Sequence, residues 1–385
     1  MDMTRNTATE TVLRGGNVLL PGEGLRPCDI VVDGNQIIEV SHGASYAGAR
    51  VVDASDCLVL PGIVDIHGDA FERQIMPRPK TMFPLHIATR ETDRQLAANG
   101  ITTAFHGITI SWEPGLRSLK ESERVIASID DAETDLLVDN RLHIRWETFA
   151  VDEVPAVIAL MQRSKRPLLA FNDHTTPTLT GTRMQSKVGK SAERAMVDVE
   201  TYRALLERQS EREADGHTAI QVMANLANQL DIPMLSHDDH SAEMRQFYRS
   251  LGVSLAEFPL NWETMEEAAT HDDGIILGAP NIVRGGSHNG AISAEEAFRR
   301  GQCTILASDY YYPAPLHAAF KLAAKGLTSL ERAWDLVSGA PARATRLTDR
   351  GMIAPGMRAD ILVARQDSLR PVLTMSAGRI VFQSI

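Results

Sequence analysis

Eight short apolar runs, each ending in polar residues, recur between Leu60 and Thr345: PGIVDIH, ITTAFHG, LHIRWET, LLAFNDH, IPMLSHDD, VSLAEFP, GIILGAPN and CTILASD. Helical stretches such as DRQLAANG, DVETYRALLERQ and APLHAAFKLAAKG separate them. A buried parallel strand reads as a short apolar run, and each parallel return needs a crossover of a dozen or more residues. The alternation therefore predicts a distorted (β/α)8 barrel, with its chemistry at the C-terminal strand ends where the polar residues stand. LHIRWE carries a parity of its own: His143, Arg145 and Glu147 share one face, and Leu142, Ile144 and Trp146 the other. That pattern suits a polar lumen and an apolar side facing the helices.

The two ends of the chain read differently. From Thr11 to Leu60, TVLRGGNVLL, DIVVDGNQIIEV and ARVVDASDCLVL are β-like segments broken by Pro-Gly, Asp-Gly and Gly-rich turns, and ADILVARQ and LTMSAGRIVFQ resume the pattern near the C-terminus. Neither end has enough strands to bury a core alone, so residues 1–60 and 346–385 are expected to form one small composite β-sandwich beside a barrel of residues 61–345. Three scattered cysteines, Cys28, Cys57 and Cys303, argue against a disulfide scaffold. The polar opening MDMTRNTATET and the lack of a long uncharged apolar stretch predict a cytoplasmic protein with no membrane partner. A net charge of −11 disfavours nucleic acid as a partner, while a homo-oligomer stays open.

The strand ends carry the chemistry. Asp65, His67 and Asp69 alternate along the first strand and its exit, which brings His67 and Asp69 to one cavity. Glu147 ends the third strand, Asp173-His174 the fourth, His237-Asp238-Asp239 the fifth and Asp309 the eighth. Converging carboxylates and imidazoles repel or stay unpaired unless a cation joins them, so His67, Asp69, Glu147, His174, His237 and Asp309 are the candidate metal ligands. Mixed nitrogen and oxygen donors suit zinc first, then manganese or iron, as one ion or two, with Glu147 a candidate bridge. Asp309 is also the candidate catalytic base. Asp65, Asp173, Asp238 and Asp239 fit partners that orient imidazoles, and Glu72 fits a helix start as well as a ligand.

A strand ending LPGIVDIHGD, an aspartate closing strand eight and the late GMIAPGMRADILV together resemble the amidohydrolase superfamily of metal-dependent hydrolases. HGDAFERQIMPRPK, LHIRWE, NDHTTP, SHDD, AEFP, GAPNIVRGGSHNG and ASDYYYPAPL are similar to the PhnM family of the carbon–phosphorus lyase pathway, across nearly the whole chain. His67-Gly68-Asp69 stands where the superfamily usually has His-x-His, a departure that the PhnM group shares. The resemblance implies hydrolysis of α-D-ribose 1-methylphosphonate 5-triphosphate to the 5-phosphate and pyrophosphate.

Local charge points the same way. Arg73, Arg78 and Lys80 follow strand one; Arg183, Lys187, Lys190 and Arg194 lie after strand four; and Arg284 precedes Gly285-Gly286-Ser287-His288 after strand seven. Arginine forks and glycine-rich backbone N–H groups suit the oxygens of a small anionic phosphorylated substrate. Two other readings stand beside this one: an amidohydrolase acting on a C–N bond of a small anionic substrate, and a binding protein that kept the barrel and lost its chemistry.

Overall fold

A computed structural model describes residues 10–44, 47–180, 184–286 and 292–384. Each of the eight apolar runs is a strand: Ile63–Gly68, Ile101–Ile110, Asp139–Glu147, Leu168–Asn172, Met234–His237, Leu255–Glu257, Gly274–Gly278 and Ile305–Ala307, barrel strands one to eight. They pair in parallel in chain order. Strand eight closes onto strand one where the Asp309 N–H donates to the His67 carbonyl at 2.9 Å and the Asp69 N–H to the Asp309 carbonyl at 3.0 Å. The first and last ligand-bearing segments in the chain's order are thus stitched together by backbone at the barrel's seam.

Parity sorts the strand residues. Leu142, Ile144 and Trp146 of strand three pack outward with Val125, Ile126 and Ile129 of the helix Leu119–Ala132. Val64, Ile66, Phe105, Leu168, Ala170, Leu235, Leu255, Ile276 and Ile305 form an apolar cluster in the lower lumen. A small dry plug of this kind is what a barrel of eight strands encloses. Above it the polar residues begin.

Strands Thr11–Leu20, Gly24–Asp33, Gln36–Ser41, Arg50–Asp53, Cys57–Pro61, Ile361–Arg365, Pro371–Ser376 and Arg379–Gln383 make a second hydrogen-bonded sheet from both termini. Cys57–Pro61 is its hinge between the two ends, pairing parallel with the first strand (Asn17 opposite Leu58) and antiparallel with Ile361–Arg365 (Leu60 opposite Leu362). Ile30 and Ile37 from one arm and Ile361, Val363 and Leu373 from the other bury one shared core. From Pro61 the chain passes through Gly62 directly into barrel strand one, so the sheet anchors the first ligand strand. Cys28, Cys57 and Cys303 are buried free thiols. No helix among the described residues is long and apolar enough to cross a membrane.

Candidate active site

Strand one departs from simple alternation. Its pairing with strand two shifts register between Asp65 and Gly68, a bulge that sets Ile66 and His67 consecutively toward the lumen. Asp65 is consequently turned outward, where it accepts from the Ser308 N–H at 2.9 Å and the Ser308 hydroxyl at 2.5 Å. Asp65 is thus a clamp on strand eight, while His67 and Asp69 remain toward the site, the cavity expected for those two. Burial pushes the Asp65 carboxyl above its ordinary range.

Glu257, the last residue of strand six, organises the lumen. His67 donates from Nδ1 to Glu257 Oε1 at 2.7 Å and His237 from Nδ1 to Oε2 at 2.8 Å, with the two rings stacked 5.6 Å apart. Burial alone would raise the Glu257 carboxyl, yet the surrounding imidazoles, His67 foremost, hold it well below the usual carboxylate range. Both rings therefore keep the same tautomer, with Nε2 toward the site; for His67 this is the arrangement in which a carboxylate fixes a ligating histidine, while His237 Nε2 meets Arg145. Burial lowers His237, whereas the Glu257 charge overcomes burial to raise His67. His143 donates from Nδ1 to the Ile66 carbonyl at 2.9 Å, and burial depresses it to about 3.

Three groups of donors converge among the described residues: His67, His237 and Glu257; His67, Asp69 and Asp309; and His174, His237 and Asp238. The first is already joined by hydrogen bonds. The second brings one imidazole nitrogen and two carboxylates to the barrel seam, a donor set that fits zinc, manganese or iron(II). Burial and the neighbouring Asp69 charge push the Asp309 carboxyl up to about 7, a sign of negative charge that lacks a compensating cation. The residues present thus fit a divalent ion.

Glu147 stands in none of these groups. Its Oε2 accepts from the His174 N–H at 3.2 Å and its Oε1 faces His174 Nδ1, so here it orients His174. Asp239 is tied to Ser236 at 2.5 Å and to Arg245 at 3.2 Å, and Asp173 receives the Thr176 N–H at 2.9 Å. Glu72 makes a bidentate pair with Arg117 at 2.9 and 3.0 Å. Of the residues held open between ligation and support, only Asp238 remains beside the donors. Arg145, noted in the sequence only for its parity, reaches into the centre, donating from Nη2 to His237 Nε2 at 3.0 Å.

The predicted cations divide. Arg73 lies over the Tyr310 ring at 5.6 Å, and Arg284 Nη1 lies 3.4 Å from the Tyr310 hydroxyl, so the loops after strands one and seven meet one residue beyond Asp309. Arg78 and Lys80 are exposed on the tight turn that follows, with Lys80 in the left-handed region. Arg194 is bound to Glu113 at 2.8 and 3.0 Å and so holds the helix Met184–Ala195 against the strand-two exit. Gly285 and Gly286 spend their N–H groups on the Asn281 carbonyl, at 3.2 and 3.1 Å. The expected anion nest is a helix terminator, with Gly285 supplying the left-handed residue. Ser287, His288 and Arg183, with the side chain of Lys187, lie outside the described residues.

A (β/α)8 barrel with an imidazole–carboxylate seam between strands one and eight, joined to a sheet built from both termini, defines a hydrolase of the amidohydrolase superfamily. Solved structures share the fold: a D-hydantoinase (TM-score 0.67, 13% identity, covering 97% of this chain and 95% of that one) and an amidohydrolase from a Sargasso Sea environmental sample (0.66, 17%, 97% and 93%). The chain belongs to the PhnM family: it is 31% identical over 368 residues to alpha-D-ribose 1-methylphosphonate 5-triphosphate diphosphatase of Escherichia coli K12, covering 87% of this chain and 92% of that protein. A shorter similarity, 41% over 58 residues and 14% of each chain, links it to a dihydroorotase of Geobacter sulfurreducens. No family model matches the chain.

Proposed function

We propose that the chain is a metal-dependent diphosphatase that hydrolyses α-D-ribose 1-methylphosphonate 5-triphosphate to the 5-phosphate and pyrophosphate, in phosphonate catabolism in the cytoplasm. One observation carries this reading beyond the family likeness. Two arginines from different loops, Arg73 and Arg284, converge on Tyr310 directly beside Asp309, in a chain whose net charge is −11. A polyphosphate is the kind of substrate that such a cationic rim holds over an acidic floor.

His67, Asp69 and Asp309 would hold a divalent ion, zinc first among the candidates. When bound, such an ion supplies Lewis acidity and lowers the pKa of a water molecule. Asp309 takes the proton of the attacking water as general base. One P–O bond of the anhydride breaks as the water oxygen bonds to phosphorus, and pyrophosphate leaves. Arg73 and Arg284 hold the polyphosphate and offset its growing charge. Glu257 keeps His67 in the tautomer that presents Nε2.

Incubation with the triphosphate, followed by ³¹P NMR, tests the assignment: pyrophosphate and the 5-phosphate should appear together and disappear on chelation. Release of ammonia or amine from cyclic amides, with the triphosphate untouched, would instead establish the C–N reading. No turnover of either class would leave a binding protein.

A further inference from the structure

Among the described residues, Arg145 is the cation that reaches into the centre of the donors. It sits on strand three with its side chain 4% exposed, Nη2 at 3.0 Å from His237 Nε2 and Nη1 at 3.9 Å from Asp69 Oδ2. It therefore spans the two flanking donor groups, touching one member of each. Its Nε is buried without a partner, so the side chain is held by position rather than by a matched carboxylate. Strand two makes room for it: a Cβ on Gly107 would lie 3.1 Å from Arg145 Cδ. A guanidinium does not lose its proton in a protein, so this positive charge is permanent.

We propose that Arg145 occupies the second cation position, so that the centre takes one divalent ion, at His67, Asp69 and Asp309. This rests on the metal-dependent reading above. The group His174, His237 and Asp238 is the alternative home of a second ion. His237 spends Nδ1 on Glu257 at 2.8 Å and Nε2 on Arg145, which leaves that ring no lone pair to offer. His174 and Asp238 alone fall short of the three protein donors that a tight catalytic ion has. A divalent charge there would also face a fixed guanidinium in a low-dielectric lumen. Arg145 thus supplies built-in positive charge where a two-metal site would recruit an ion.

The test is metal stoichiometry, measured on metal-free protein dialysed against Zn²⁺ and analysed by mass spectrometry, with folding checked by circular dichroism. The wild type should bind one ion per chain, Arg145→Lys one, and Arg145→Met two. Adding His237→Ala to Arg145→Met should return the count to one. Two ions in the wild type, with one lost on His237→Ala, would overturn the proposal without touching the diphosphatase reading, and so would a single ion in folded Arg145→Met. Should Arg145→Met not fold, the wild-type count and its response to His237→Ala decide the matter alone. No bound ion in the wild type would overturn both this proposal and the metal-dependent reading.

Discussion

His67 and Glu257 meet across the lumen, from strand one to strand six, with Nδ1 and Oε1 2.7 Å apart and both side chains fully enclosed. The contact decides which nitrogen of His67 faces the site, and the same carboxylate decides it for His237. Glu257→Gln keeps the shape but leaves one accepting oxygen, and its amide N–H₂ confronts the other imidazole's N–H. One ring must then change tautomer or turn. Affinity for Zn²⁺ should fall about 10–100-fold, the usual cost of losing a group that orients a ligating histidine. Competition with a chromogenic chelator measures it, and an unchanged affinity would remove Glu257 from any role in presenting the ligands.

Asp309→Asn separates proton transfer from recognition. The amide is nearly isosteric and leaves the backbone stitch to His67 and Asp69 untouched, but it is far less basic. We expect kcat for pyrophosphate release to fall about 10²–10⁴-fold, with the fold retained. Arg284→Ala, at the rim, should mainly raise KM, since a contact made equally to substrate and transition state changes binding and not kcat. Steady-state kinetics with metal content measured alongside distinguishes the two. An active Asp309→Asn enzyme, or an Arg284→Ala enzyme with wild-type KM, contradicts the assignment of that residue.

The barrel was legible because buried parallel strands are short apolar runs, and every one of the eight runs is a strand. His67, His174, His237 and Asp309 were legible because they stand at strand ends. Glu257 was not: it ends a strand of three residues, and its meaning lies in histidines 190 and 20 positions away. Arg145 showed its face through parity, but its contact with His237 spans 92 positions and leaves no local trace. The bulge at Ile66–His67 escaped because period-two reasoning assumes an unbroken register, and the Gly285-Gly286 pair misled because a helix terminator and an anion nest use the same residues.

Asp139, at the N-terminal start of strand three, receives Arg141 at 2.8 Å, Lys165 at 2.6 Å and Arg350 at 2.8 Å. Burial would raise its carboxyl, but these three cations, Arg141 foremost, lower it far below the ordinary value. A depressed folded-state pKa stabilises the fold above the unfolded value of ~3.9, and that contribution is lost as pH falls toward the folded value. Asp139→Asn should therefore cost about 3–5 kcal/mol at pH 7, by leaving enclosed cations without their carboxylate. The gap between variant and wild type should narrow below about pH 4. Urea unfolding at pH 7, 5 and 3.5 reads this directly, and a gap independent of pH would mean that shape, not charge, matters at this position.

Arg245, on the helix Ala242–Ser250, is fully buried and ties that helix to the two strands that carry His237 and Glu257. Its Nη1 donates to Ser236 Oγ at 2.6 Å, Asp239 Oδ2 at 3.2 Å and the Leu255 carbonyl at 3.3 Å, and its Nη2 to the Val253 carbonyl. Arg245→Met removes the cation and strands Asp239, whereas Asp273 keeps Arg249 at 2.6 Å. The loss should be about 3–5 kcal/mol, because an enclosed charge without its partner is the costly case. If Asp239 is the stranded charge, adding Asp239→Asn should recover about 1–3 kcal/mol, since a neutral amide bears burial better than a lone carboxylate. Urea unfolding of both variants checks this. A double variant no more stable than Arg245→Met would shift the loss to the carbonyls of Val253 and Leu255, and hence to the seating of strand six under Glu257.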